Sequence, residues 1–261
     1  MNNEFEVIIV GDGIAGSSLA LQLLKLGIKD ICILEKQKFP RIKACTGIIT
    51  KPSYNLLKEI DIDVKDLDFV TKKDEDLQEI QFFDKTKYVC KIPNILDAYF
   101  PIAATRKDFD KYLYEFIKSK NINFKTEVNI KDIDFDNNVV NTNEENYKYK
   151  YLVFADGASG FSSKYSKIKN KSICLEGVFK KTGDKAFFNG YTGITKNGYT
   201  WLLETKEYCS IGFCDIYRKN INYKDLLVKF AKEIGYELDK KDIRGAFLPM
   251  DLSKNIIINK N

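Results

Sequence analysis

Three glycines and one carboxylate near the N-terminus have the types and spacing that suit the binding of a pyrophosphate. Gly11-Asp12-Gly13-Ile14-Ala15-Gly16 follows the apolar, β-branched run from Phe5 to Val10 and precedes a helical pattern. Gly11 permits a tight turn out of the strand, Gly13 lets the backbone approach phosphates without a Cβ in the way, and Gly16 allows helix and strand to pack closely. The helix N-terminus at Ile14 and Ala15 then offers free N–H groups and a positive dipole end to the phosphates. Glu35 lies 19 residues beyond Gly16, at the tip of a second apolar run from Ile31 to Leu34, with Lys36 beside it. Its carboxylate can accept hydrogen bonds from ribose hydroxyls and would repel a 2′-phosphate, which favours FAD or NAD over NADP. A lone Gly-x-Gly-x-x-Gly is often only a glycine-rich turn, but here the strand, the helix and the acidic residue are all in place.

Other chemistries are excluded or left without support. The chain has no histidine, so a Ser-His-Asp triad, a His-ligated zinc and a His general base cannot be built from it. Proton transfer falls to Cys, Tyr, Lys, a carboxylate or water, and a redox cofactor is the better carrier of difficult chemistry. Six cysteines, at 32, 45, 90, 174, 209 and 214, include no Cys-x-x-Cys pair, so neither a zinc site nor a disulfide framework is indicated. Cys209 and Cys214 fall on opposite faces of a predicted strand. A net charge of +5, scattered without blocks, gives little support for a nucleic-acid partner. No apolar run approaches the length of a membrane span and no signal pattern opens the chain, so a cytoplasmic protein without an integral membrane segment is expected.

The elements that position these residues follow from pattern. Leu19, Leu23 and Leu26 define a helical face after Gly16, and Gly27 ends that helix. Pro52 to Ile60 reads as a short helix begun by proline, Arg106 onward as an amphipathic helix carrying Tyr112, Leu113, Phe116 and Ile117, and Asn222 to Gly235 as another. Ile80 to Ile92 and residues 172–216 are rich in aromatic and β-branched runs and read as antiparallel strands. The expected organisation is an α/β dinucleotide domain from 1–70 plus 101–165, interleaved with a sheet domain from 71–100 plus 166–261.

Downstream motifs narrow the reading. Lys43-x-Cys45-Thr46-Gly47, Arg106-x-x-Phe109-Asp110, Ala155-Asp156-Gly157 and Gly198-Tyr199-Thr200-Trp201-Leu202-Leu203 form a series that a simple NAD-dependent dehydrogenase does not require. In this series the chain resembles the para-hydroxybenzoate-hydroxylase-like FAD-dependent oxidoreductases, and within them the geranylgeranyl reductases. Lys43 to Gly47 resembles the reductases' Cys-Gly-Gly stretch, with Thr46 in place of a glycine. Gly198 to Leu203 resembles their Tyr-x-Trp-x-Phe-Pro stretch, with Leu203 for Phe and Glu204 for Pro.

The resemblance implies a Rossmann-type FAD-binding domain with an antiparallel-sheet substrate domain. It implies that Gly11, Gly13, Ile14, Ala15, Gly16, Glu35 and Lys36 hold the ADP half of FAD, with Val128 beside the adenine. Arg41 and Arg106 would lie along the pyrophosphate and ribityl chain, Cys45, Thr46 and Gly47 near the flavin, and Ala155, Asp156 and Gly157 beside the cofactor. Cys45 is the catalytic candidate, and Tyr199 and Trp201, which share a strand face, are the substrate-binding candidates. Each also has a plainer reading: Cys45 as a small buried thiol, Arg106 in a solvent-facing ion pair, Asp156-Gly157 as a turn, Tyr199 and Trp201 as core. The implied reaction is reduction of a carbon–carbon double bond in an isoprenoid or lipid-like substrate, with NADPH or ferredoxin as electron donor and at most peripheral membrane contact. Aromatic hydroxylation is the alternative. Relatives carry a further Gly-Asp-Ala-Ala-Gly motif, which does not appear before Asn261. The resemblance therefore implies a truncated chain, with a non-catalytic remnant or assembly partner as a third reading.

Overall fold

The structure, a computed structural model, describes residues 3–41, 43–68, 79–93, 105–165, 170–180, 187–205 and 208–250. Residues 251–261 lie outside the described residues, and with them Ile256 to Asn261, which the sequence suggests as the approach to a further strand. Contacts divide the chain into two units: the segments ending at Arg41 and beginning at Phe109 form one, and the segment between them joins residues from Lys169 onward in the other. The sequence-based division places residues up to 70, and those from 101, with the first unit; packing instead groups 43–68 and the start of the third helix with the second.

The first unit is built on β1 (Glu4–Val10), α1 (Ile14–Lys25) and β2 (Ile31–Leu34). Later come β5 (Asn123–Lys125), β6 (Ile130–Asp134), β7 (Val139–Thr142) and β8 (Asn146–Phe154). The strand order is β5-β2-β1-β8-β7-β6. β5, β2, β1 and β8 are parallel, while β7 and β6 extend the sheet antiparallel. Val7 to Val10 of β1 and all of β2 are buried, as expected of strands covered on both faces.

α1 departs from its predicted face. Gly16, Ser17, Ala20 and Leu21 are buried, whereas Leu26 is 77% exposed and Leu19 and Leu23 are only partly covered. The cause is the close approach that Gly16 permits: small residues, not the leucine row, must face the sheet where backbones nearly touch.

The second unit holds α2 (Lys51–Glu59), with Pro52 in its first turn, and the hairpin β3 (Glu79–Asp84) and β4 (Lys87–Pro93). It continues with β9 (Lys171–Lys180), β10 (Phe187–Thr192), β11 (Tyr199–Glu204), β12 (Tyr208–Ile216), α4 (Tyr223–Glu233) and β13 (Ile243–Pro249). α3 (Arg106–Ser119) starts in this unit and continues into the other. The seven strands lie in the order β13-β9-β12-β11-β10-β3-β4, antiparallel except for β10 beside β3. That parallel pair escaped a reading from local pattern because the two strands are separated by more than a hundred residues and share no turn. Leu202, Ile211 and Phe213 on one sheet face pack with Leu227, Phe230 and Ala231 of α4. On the other face Trp201, Leu203 and Tyr208 pack with Ile48.

Cys174 and Cys214 stand directly opposite each other in β9 and β12, Cα atoms 4.3 Å apart, and form a disulfide. The expectation that no disulfide is indicated is thus corrected: the 40-residue separation carries no spacing signal, and only sheet register makes the pair. Cys209, by contrast, belongs to the core on the opposite face.

The altered α1 face yields a stability prediction. Leu26→Ser should change unfolding free energy by no more than about 0.5 kcal/mol, while Ala20→Leu, at a fully buried position, should cost about 1–3 kcal/mol. Urea unfolding of the two variants separates the outcomes.

Candidate cofactor site and aromatic sheet face

At the C-terminal ends of β1, β2 and β8, backbone approaches backbone. Gly11 has φ +96°, and a Cβ there would lie 2.6 Å from Asp156 Cα and 2.8 Å from the Ala155 carbonyl oxygen. A Cβ on Gly16 would lie 2.0 Å from the Gly11 carbonyl oxygen. These two positions therefore admit only glycine. Gly13 is the N-cap of α1 and supplies no side-chain cap, and Ile14 and Ala15 are exposed, so the first-turn N–H groups face outward.

Glu35 is buried and ties the loop together. Its Oε2 accepts from the Asp12 backbone N–H at 2.8 Å, its Oε1 from the Gln37 N–H at 2.8 Å, and its own carbonyl from the Val128 N–H at 3.0 Å. Each carboxylate oxygen retains capacity for one more donor, such as a ribose hydroxyl. Arg41 donates through Nη2 to the Asp12 carbonyl, stands 3.6 Å from Asp110 and stacks its guanidinium 5.1 Å from the Phe39 ring centroid. Asp156 accepts from the Ser162 N–H at 2.9 Å and the Ser162 hydroxyl at 2.5 Å, which anchors the turn after β8. Gly157 takes φ +78°, and among the described residues nothing approaches the position its Cβ would take.

The structure therefore brings together Gly11, Gly13, Ile14, Ala15, Gly16, Glu35, Arg41, Val128, Ala155, Asp156 and Gly157. Lys36 is exposed beside them. Asp12 was missed by sequence reasoning although it stands inside the motif. It is buried, accepts from Ser17 Oγ at 2.5 Å through Oδ1, and among the described residues its Oδ2 has no hydrogen-bond partner. Burial pushes its carboxyl up to about 7, against the lowering effects of Ser17 and Arg41.

Cys45, Thr46, Gly47, Tyr199 and Trp201 gather separately, in the second unit. Trp201 lies opposite Gly212, where a Cβ would sit 2.2 Å from the indole Cζ2, so the ring lies over the glycine. Tyr199 is 56% exposed on the same face, its ring centroid 5.9 Å from that of Trp201. The Cys45-Thr46-Gly47 loop is held to this face by two bonds: the Cys45 N–H donates to Glu176 Oε2 at 2.8 Å and the Tyr208 hydroxyl donates to the Thr46 carbonyl at 3.1 Å. Gly47 has φ +77°, and the Cys45 side chain is exposed, not a buried core thiol. Arg106 is buried, which removes its reading as a solvent-facing ion pair. Its helix is started by Thr105, which accepts from the Asp108 N–H at 3.1 Å and donates to the Asp108 carboxylate at 2.7 Å. Glu176, Ser210 and Tyr208 had no local signal, since only sheet register brings them to residue 45.

Residues 4–207 match the family model for an FAD binding domain. The chain belongs to this family of FAD-binding domains. It is 24% identical over 262 residues to an uncharacterized protein of Methanosarcina barkeri, covering 94% of this chain and 63% of that one, so it spans less than two thirds of that relative. Among solved structures, a geranylgeranyl bacteriochlorophyll reductase-like protein of Thermoplasma acidophilum superposes with a TM-score of 0.74 at 16% identity, covering 96% of this chain and 68% of that one. The probable FAD-dependent monooxygenase PqsL of Pseudomonas aeruginosa gives a TM-score of 0.63 at 14% identity, with 82% and 61% covered. Both establish the fold, that of the para-hydroxybenzoate-hydroxylase-like flavoproteins. Among the described residues no helix is long and apolar enough to cross a membrane.

FAD fits the site on the chain's own geometry: an uncapped helix start, two glycines that no side chain could replace, a buried acid beside the loop and a guanidinium over it.

Asp12 gives the site a pH signature. Its native carboxyl titrates near 7 rather than at 3.8, so the folded state holds a proton that the unfolded chain releases. Its contribution to stability is full below about pH 4 and is lost as pH rises towards about 7. Asp12→Asn should therefore gain on the parent by roughly a few kcal/mol between these limits. Denaturant unfolding of both proteins across that window checks it; a constant difference would rule the effect out.

Proposed function

We propose that this chain is the flavin-holding part of an FAD-dependent oxidoreductase that reduces carbon–carbon double bonds of an isoprenoid or lipid-like substrate. The observation that carries the reading is the conjunction, in one chain, of an FAD-type phosphate cradle with a sheet face bearing Trp201, Tyr199 and the Cys45 loop.

When bound and reduced, FAD supplies a hydride. The chain's residues provide for its binding. The N–H groups of Ile14 and Ala15 would hold the pyrophosphate at the start of α1, where the helix dipole favours negative charge. Glu35 would orient the ribose while its Oε2 holds the loop through the Asp12 N–H. Arg41 adds positive charge above the loop, its planar group fixed by Phe39 and Asp110.

On the second unit, the exposed ring of Tyr199, backed by the buried Trp201 indole, gives an apolar surface that suits a hydrocarbon chain. The exposed Cys45 thiol is the catalytic candidate there: alkene reduction adds one hydride and one proton, and this thiol or water is the proposed source of the proton. NADPH or ferredoxin is the proposed source of electrons, and the substrate's character allows peripheral contact with a lipid surface.

A second reading rests on the same Tyr199 ring, since an exposed aromatic side chain also stacks on an aromatic substrate, and the fold is shared with PqsL. Hydroxylation with molecular oxygen would then replace alkene reduction.

The purified chain should show flavin absorption bands that survive gel filtration after FAD is added. Gly13→Asp, which places a carboxylate at the phosphates, should weaken FAD binding about tenfold or more. A colourless protein would overturn the cofactor assignment. Anaerobic reduction of a geranylgeranyl substrate supports the reductase; oxygen-dependent hydroxylation of an aromatic compound with NADPH supports the second reading instead.

A further inference from the structure

A directional hydrogen-bond chain crosses the aromatic sheet face. The Trp201 indole Nε1–H donates to Ser210 Oγ at 3.0 Å. The Ser210 hydroxyl donates to Glu176 Oε1 at 2.6 Å, and Glu176 Oε2 accepts the Cys45 backbone N–H at 2.8 Å. Both interior members are buried, Ser210 fully and Glu176 to 4% exposure. Three strands and one loop are thus joined: Trp201 on β11, Ser210 on β12, Glu176 on β9 and the Cys45 loop, 131 residues away in sequence.

The polarity has a consequence. An indole nitrogen only donates, so Ser210 must accept from it and turn its own proton to Glu176. A backbone N–H also only donates. The carboxylate therefore receives two donors, one on each oxygen, and holds both most strongly when it is ionised. A proton on Oε2 would oppose the Cys45 N–H. A proton on Oε1 would point at Ser210, whose own hydroxyl proton would then have to leave the chain.

We infer that Glu176 is a positioning residue whose ionised carboxylate couples the Cys45-Thr46-Gly47 loop to the Trp201 indole, so that thiol-bearing loop and aromatic platform hold one geometry. Its importance for a substrate rests on the proposed function; the coupling itself needs neither flavin nor substrate.

The surroundings make the switch accessible. Burial pushes Glu176 above the ordinary 4.5, and the groups that face it oppose this: Ser210 from β12, the Cys45 N–H from the loop, Arg244 from β13 and Arg106 from the start of α3. Arg244 is the cross-strand partner of Glu176 in register.

Trp201 is the chain's single tryptophan, so intrinsic emission reads this network without labelling. The test compares the full chain with Glu176→Gln and Ser210→Ala, using tryptophan emission across pH and amide hydrogen exchange at Cys45. The parent should show an emission change with a midpoint above 4.5, absent from both variants. Glu176→Gln cannot accept both donors, and should speed exchange of the Cys45 amide about tenfold or more. Ser210→Ala should shift the emission at neutral pH yet leave the Cys45 amide protected, because it cuts the chain on the indole side only. The inference is overturned if Glu176→Gln leaves Cys45 exchange unchanged, or if the parent's emission change persists in Ser210→Ala. Should Glu176→Gln not fold, Ser210→Ala alone decides through the pH dependence of emission. A chain that binds no FAD and reduces no alkene leaves these readouts intact, so the two proposals fail separately.

Discussion

Backbone atoms meet at the turn after β1 with no room for a side chain. The Gly11 carbonyl lies against Gly16, and Ala155 and Asp156 lie against Gly11, so three elements converge on one peptide. This contact draws α1 down onto the sheet, which in turn selects Ser17, Ala20 and Leu21 rather than the leucine row as the buried face. It also sets the register of β1 beside β8, where Val10 pairs with Phe154 immediately before the two loops touch. The outward N–H groups of α1 and the tip of β2 are then placed where a pyrophosphate and a ribose can use them. Glu35 closes the arrangement by holding both the Asp12 and Gln37 amides. A single carboxylate thus fixes the loop geometry at two points.

The second sheet solves a different problem. β12 is buried on both faces, with its aliphatic and aromatic residues against α4 on one side. On the other side polar groups are also buried: Ser210, Glu176 and the indole nitrogen of Trp201. A buried carboxylate is costly unless its lone pairs are used, and here they take the Ser210 hydroxyl and the Cys45 amide. The same bonds that satisfy the acid fasten the glycine-containing loop, which the Tyr208 hydroxyl secures at its next carbonyl. Gly212 completes the platform by leaving space for the indole.

Much of the first unit was legible because its signals are local. A β-branched run, glycines at fixed spacing, an amphipathic segment and an acid at the end of the next strand lie within 35 residues, and each has its own conformational requirement. The helix at Pro52 was legible from the proline in its first turn, and those at Arg106 and Asn222 from their amphipathic patterns; Asn222 accepts from the Asp225 amide and caps the last of them. Asp12, although inside the motif, carried no such signal, since its burial and raised carboxyl depend on Ser17, Arg41 and Asp110 closing around it.

The sequence by itself determined the dinucleotide fingerprint, the helix starts, the strand-rich character of residues 172–216 and the sharing of one face by Tyr199 and Trp201. These follow from steric and hydrogen-bonding rules that act over a few residues. Only the tertiary structure decided the parallel pairing of β3 with β10, the disulfide between Cys174 and Cys214, and the bond from Glu176 to Cys45. Each joins residues 40 or more positions apart, and sheet register, set by the fit of whole strands against the core, leaves no trace in local composition or spacing.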